Sequence, residues 1–140
     1  MTKRYIWTNE YSVGVVGIDE QHKEFLSIVN NILDLEESES LSDKEIFSIV
    51  DKLSNYGSYH LSTEEFLFEK THFEYAHEHI VAHDEFRKRV KIFAEKIKIG
   101  GIDKKLILKE LADFSGNWLM QHILIMDKKY SKLFIEKGVK

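Results

Sequence analysis

Apolar residues return every three or four positions through most of this chain, and polar segments divide the pattern into four blocks. In the first block Phe25, Leu26, Val29, Ile32 and Leu33 share a stripe, which predicts a helix over about 19–37 with Asp19 as its N-cap. The run Glu36-Glu-Ser-Glu-Ser40 reads as a loop. Ser42-Asp-Lys-Glu45 has the form of a capping box and opens a second helix over about 42–69, striped by Ile46, Ile49, Val50, Leu53 and Tyr56. Thr71-His-Phe-Glu74 has the same form and predicts a third helix over about 72–98. Ala76, His79, His83, Phe86, Val90, Phe93 and Ile97 lie on one face of it, and Gly100-Gly101 stops it. Asp103 is placed to cap a fourth helix over about 103–136, with Leu108, Leu111, Ser115, Trp118, His122 and Ile125 in line. The first seventeen residues lack helical period and read as an extended arm, packed through Ile6 and Trp7. Four amphipathic helices with short connections predict an all-α, antiparallel up-down-up-down bundle. At 140 residues the chain is expected to form one domain, residues 1–140.

Composition narrows the function classes. The formal net charge is -4 and no basic stripe appears, which argues against nucleic acid as a partner. Lys128, Lys129, Lys132, Lys137 and Lys140 suit the end of a helix, where cations complement the macrodipole. There are no cysteines, so disulfides, thiolate metal sites and thiol catalysis are excluded. Met1-Thr-Lys-Arg is followed by no apolar signal segment, and no apolar run is long enough for a membrane span. A soluble, cytoplasmic protein is expected.

The polar interruptions of the apolar stripes carry the chemistry. Five of the seven histidines fall into a spaced set: His22, His60-x-x-x-Glu64, His79-x-x-x-His83 and His122-x-x-x-x-Asp127. Residues four apart on an α-helix are rotated by about 40°, so each i,i+4 pair offers two donors to one place. His22 and the His79/His83 pair lie near helix starts. His60, Glu64, His122 and Asp127 lie toward helix ends. In an antiparallel bundle those positions meet at one end. The last pair fits less simply, because five residues span about 140° of rotation on an ideal α-helix. A local irregularity between His122 and Asp127, such as a π-type turn, is therefore expected. His72 and His77 fall off the pattern and are expected in solvent. Glu65 reads as a solvated charge beside Glu64, and Tyr130 as a packing or surface group.

Imidazole and carboxylate donors at this density suit two ions of iron or manganese better than structural zinc. Five imidazoles and two bridging carboxylates supply roughly nine donor atoms, and a shared oxygen bridge raises the count to about eleven. Two octahedral ions need about twelve, which leaves one position open. Leu61, Trp118, Leu119 and Ile123 neighbour the donors in sequence and are expected to wall a small apolar ligand pocket.

The combined pattern resembles the hemerythrin family, in its prokaryotic single-domain form. The resemblance covers nearly the whole chain. It rests on the tryptophan arm, Ile18-Asp-Glu-Gln-His-Lys23, His60-Leu-Ser-Thr-Glu-Glu65, His79-Ile-Val-Ala-His83 and Trp118-Leu-Met-Gln-His-Ile123 through Asp127. One departure is the lack of a proline in the turn before the third helix. The resemblance implies a non-heme centre of two iron ions with an oxo or hydroxo bridge, binding dioxygen reversibly. It assigns His79, His83 and His122 to one iron and His22 and His60 to the other, with Glu64 and Asp127 bridging. It further implies an oxygen carrier, store or sensor rather than an enzyme, supplying an oxygen-consuming enzyme or meeting a redox partner. The competing readings are a di-iron enzyme (oxidase, peroxidase or nitric-oxide-consuming) and a metal-responsive interaction module.

Overall fold

The structure, a computed structural model, describes residues 4–140. Met1-Thr-Lys, the start of the expected arm, lies outside the described residues. Four helical rods are present: α1 (Val16–Glu36), α2 (Asp43–Thr71), α3 (Ala76–Ile99) and a composite fourth rod. That rod consists of α4 (Lys104–His122), a π-helical segment (Ile123–Asp127) and α5 (Lys128–Glu136). The backbone stays right-handed across both junctions, so the three pieces run on without a break. Among the described residues there is no strand. α1 packs on α2 and α4, and α3 packs on the same two partners, which closes the bundle. No described helix is long and apolar enough to cross a membrane.

Local chemistry explains the boundaries. Ser42 Oγ accepts from the Glu45 amide at 3.1 Å and donates to Glu45 Oε1 at 2.9 Å, so Ser42 caps α2 with Glu45 held against its hydroxyl. Asp103 Oδ1 accepts from the amides of Lys105 (3.0 Å) and Leu106 (3.2 Å) at the head of α4. Two expected starts are corrected. α1 begins at Val16, ahead of Asp19. The Asp19 carboxylate is occupied instead by Ser12 Oγ (2.5 Å) and the Val13 amide (2.9 Å), which tie the arm to the first turn of α1. α3 begins at Ala76, not at 72, because Thr71 still belongs to α2 and its hydroxyl donates to the Leu67 carbonyl at 2.7 Å. His72 then closes α2 in the left-handed conformation (φ 56°).

The arm also packs differently from expectation. Ile6 is 67% exposed, and Tyr5 takes its anchoring role beside Trp7. Asn30 on α1 pairs with the Tyr5 backbone twice, accepting from its amide and donating to its carbonyl, both at 2.9 Å. The Tyr5 ring lies over Gly116, where a Cβ would come within 2.5 Å of it. The core runs the length of the bundle through Phe25, Val29 and Ile32 of α1, Leu53, Leu61 and Phe68 of α2, Phe86 and Val90 of α3, and Leu108, Leu111 and Leu119 of α4. Each such side chain contributes about 1.5–3 kcal/mol when fully buried. Tyr130 and Phe134 of α5 stack at 4.2 Å and close one end, over the buried polar groups.

Candidate metal centre

At that closed end the apolar stripe of every rod is interrupted by a histidine or carboxylate that could ligate a metal. His22 comes from the second turn of α1, His60 and Glu64 from the latter half of α2, and His79 and His83 from the first turns of α3. His122 ends α4 and Asp127 ends the π segment. All seven side chains are buried, none more than 5% exposed. They form two overlapping groups, Glu64, His79, His83, His122 and Asp127 in one, His22, His60, Glu64 and Asp127 in the other. The two carboxylates are common to both.

The distances show how the sharing works. Asp127 Oδ1 lies 2.8 Å from His79 Nε2 and 3.0 Å from His122 Nε2, while its Oδ2 lies 3.1 Å from His22 Nε2. Glu64 Oε1 stands between His83 Nε2 (3.3 Å) and His60 Nε2 (3.6 Å), and Oε2 faces His22 at 3.8 Å. His79 and His122 approach at 2.8 Å between Nε2 atoms. Neighbouring donors around an octahedral ion with bonds near 2.1 Å stand about 3 Å apart, so the Asp127 spacings are compatible with a ligand shell and the Glu64 spacings are somewhat wider. The expected irregularity between His122 and Asp127 is a π-helical segment. Its wider turn brings Asp127 beneath His122 instead of across the helix.

The residues fit a pair of cations on a second ground. Both nitrogens of His22, Nε2 of His60 and of His83, Oε1 of Glu64 and Oδ2 of Asp127 are buried without a hydrogen-bond partner. Leaving that many polar atoms unsatisfied in a packed interior costs about 1–3 kcal/mol each, and coordination would remove the cost for all of them except His22 Nδ1, which faces away from the carboxylates. The partners on the far side of two rings fix their tautomers. Gln21 Oε1 accepts from His60 Nδ1 at 2.8 Å, and Glu65 Oε2 accepts from His83 Nδ1 at 2.8 Å. With a proton on Nδ1, Nε2 is the inward-facing atom of each ring, a lone-pair donor whenever that ring is neutral.

Electrostatics follow from burial set against opposite charge. Burial lowers His60 to about 4, which keeps its ring neutral. At His83 burial also opposes the proton, but the carboxylates of Glu64 and Glu65 outweigh it and carry the pKa up to about 9, so a cation bound at its Nε2 would have to displace a proton. Burial opposes the charged form of Glu64 and Asp127, yet the surrounding imidazoles hold both below the usual carboxylate range, Asp127 well below. Burial and then the adjacent carboxylates push Tyr130 well above 10, so it remains a hydroxyl.

Three groups at the site escaped the sequence reading. Glu65 is no solvated charge. It holds His83 and is gripped by Arg87, whose Nη1 donates to Oε2 at 2.8 Å and Nη2 to Oε1 at 3.1 Å. Burial raises the Glu65 pKa, but the His83 and Arg87 bonds outweigh that and bring it down to about 2. Tyr130 is fully buried and donates to Glu64 Oε2, so it is more than a packing or surface group. Gln21 serves His60. A weak signal existed for two of them, since Gln21 and Glu65 each adjoin a candidate ligand in sequence. Of the expected pocket residues, Leu61, Leu119 and Ile123 are fully buried, and the Trp118 ring stacks on His122 at 4.3 Å. His72 and His77 are exposed and stand outside the cluster.

A four-helix bundle that buries two donor groups around shared carboxylates defines a class of helical metal-binding proteins. The family model described as Hemerythrin HHE cation binding domain matches residues 13–134, and the chain belongs to the hemerythrin family. It is 30% identical to the bacteriohemerythrin of Clostridium acetobutylicum over 90% of this chain and 98% of that protein. It is 25% identical to the myohemerythrin of Sipunculus nudus, over 90% of each chain. The fold also superposes on a wild-type hemerythrin crystal structure with a TM-score of 0.80, covering 91% of this chain and 95% of that one at 24% identity.

Proposed function

We propose that residues 1–140 form a single hemerythrin-like domain that binds dioxygen reversibly at two iron ions, as a cytoplasmic oxygen carrier, store or sensor. In this reading His79, His83 and His122 hold one iron, His22 and His60 the other, and Glu64 and Asp127 bridge them with a solvent-derived oxo or hydroxo group. The observation that carries it is the inequality of the two donor groups, five residues against four, around the same two carboxylates. With one bridging oxygen the five-residue group completes about six positions and the four-residue group about five, which leaves one place for a small ligand.

Two ferrous ions at such a site supply the two electrons that bound dioxygen takes up and gives back. The chain's own residues do the rest. Gln21 and Glu65 hold the rings of His60 and His83 in one tautomer and orientation. Tyr130 fixes one oxygen of Glu64. Leu61, Leu119 and Ile123, together with the Trp118 ring on His122, form an apolar wall that admits a small neutral molecule and keeps water out. Use as an oxidase or peroxidase needs a proton donor aimed at the open position, and the Tyr130 hydroxyl is already committed to Glu64. The carrier reading is therefore preferred.

Loading the protein with ferrous iron without air, then admitting oxygen, tests the proposal. Uptake of about two irons per chain and a colour change reversed under vacuum are expected. Uptake of fewer, or immediate irreversible oxidation, overturns it.

A further inference from the structure

The two subsites are held by outer partners of unequal charge. His83, in the three-histidine group, donates from Nδ1 to Glu65, a carboxylate. His60, in the two-histidine group, donates from Nδ1 at the same 2.8 Å to Gln21, a neutral amide. The amide is oriented by its own second contact, Gln21 Nε2 to the Tyr59 hydroxyl at 3.5 Å, so the oxygen faces the ring. Glu65 is held ionised by the two-pronged Arg87 contact, and Asp84 also accepts from Arg87 Nη1, at 3.0 Å. That chain of contacts runs from the surface to one ligand of one subsite only.

A hydrogen bond to an ionised acceptor is roughly twice as strong as one to a neutral acceptor. It draws the Nδ1 proton away from the ring and makes the opposite nitrogen a better donor. A stronger donor favours the higher charge on the ion it holds. Arg87 offsets part of the Glu65 charge, its Nη1 sharing Oε2 with the His83 ring and its Nη2 taking Oε1, so the contrast with Gln21 is that of an ion-paired carboxylate against an uncharged amide.

We propose that Glu65 and Gln21 are positioning residues that make the two irons electronically unequal, the ion held by His79, His83 and His122 being the easier to oxidise. The inference rests on the two-iron reading above. It adds that the asymmetry is set outside the ligand shell, by the carboxylate hydrogen-bonded to His83 where His60 has a neutral amide; the Asp19 carboxylate also acts on His22, but through space and not through a bond to its ring. After loss of one electron, ferrous character then remains at the subsite with the open position.

Spectroelectrochemistry of the loaded protein tests this by resolving its two one-electron midpoints. Glu65→Gln removes the charge behind His83, raises the lower midpoint and narrows the separation. Gln21→Glu supplies a charge behind His60, lowers the upper midpoint and also narrows it. A separation that Glu65→Gln leaves unchanged or widens, with two irons still bound, overturns the inference. A redox-inert arm uses zinc alone. Glu65→Gln weakens the tighter zinc site by about tenfold and Gln21→Glu tightens the weaker one, and equal effects on both sites count against the inference. Histidine-labelled protein without metal gives a third readout: the His83 Nδ1–H resonance is expected to persist in Glu65→Gln and to be lost in Glu65→Leu. Its persistence in Glu65→Leu overturns the assigned contact. If the unaltered protein takes up fewer than two irons, the two-iron reading fails; if it loads both and the midpoints do not respond, only the asymmetry fails.

Discussion

The Tyr130 hydroxyl on α5 donates to Oε2 of Glu64 on α2, and both groups are shut off from solvent. The contact joins the last helix to the carboxylate common to both donor groups. Removing the donor leaves a buried carboxylate oxygen without its partner, which costs about 1–3 kcal/mol. Tyr130→Phe keeps the stacking ring and is expected to lower stability by that amount in urea denaturation. An unchanged midpoint would show that the bond contributes nothing.

The carboxylates and the histidines are expected to fail differently. Glu64 and Asp127 belong to both groups, whereas His22 and His60 belong to one. Glu64→Ala and Asp127→Ala lose iron at both subsites together. His22→Ala or His60→Ala empties the open subsite and leaves about one iron per chain. Metal analysis of purified variants decides this, and a Glu64→Ala protein that keeps two irons and an unaltered spectrum rules out bridging by Glu64.

The proposed apolar wall makes a kinetic prediction. Leu119 and Ile123 are fully buried on either side of His122 in sequence. Leu119→Asn or Ile123→Thr brings a polar group, and with it water, to the ligand position. Autoxidation of the oxygenated protein is expected to quicken about tenfold, each factor of ten being about 1.4 kcal/mol of barrier. A rate equal to that of the unaltered protein removes the residue from the pocket.

The arm can be examined through a pair of variants. A Cβ at Gly116 meets the Tyr5 ring within 2.5 Å, so Gly116→Ala forces the ring aside at about 1–3 kcal/mol. The same change improves helix propensity by about 1 kcal/mol. Gly116→Ala is therefore expected to destabilise the protein when Tyr5 is present and to stabilise it in a Tyr5→Ala background. Thermal denaturation of the four combinations reads the sign change. If the sign does not reverse, the ring does not occupy that surface.

Periodicity and spacing made the helices and the seven converging side chains legible, because both depend on short-range geometry along one helix. Ser42 and Asp103 act locally, and their caps could be read directly. Asp19 and Thr71 show the limit. Each had a capping pattern, but Asp19 is taken by Ser12 and Val13 and Thr71 by the Leu67 carbonyl, so the helices begin elsewhere. The His122–Asp127 spacing announced a distortion, since five residues cannot bring two side chains together on a regular α-helix.

Glu65 and Tyr130 were out of reach for a different reason. Their roles depend on partners 18 and 66 positions away, on rods that meet only after packing. No stripe or local motif encodes which ring receives a charge and which a neutral amide. The chain by itself determined which residue types are carried to one end of the bundle. Tertiary packing decided how the two halves of that cluster differ, because burial and opposing partners set the strength of each contact.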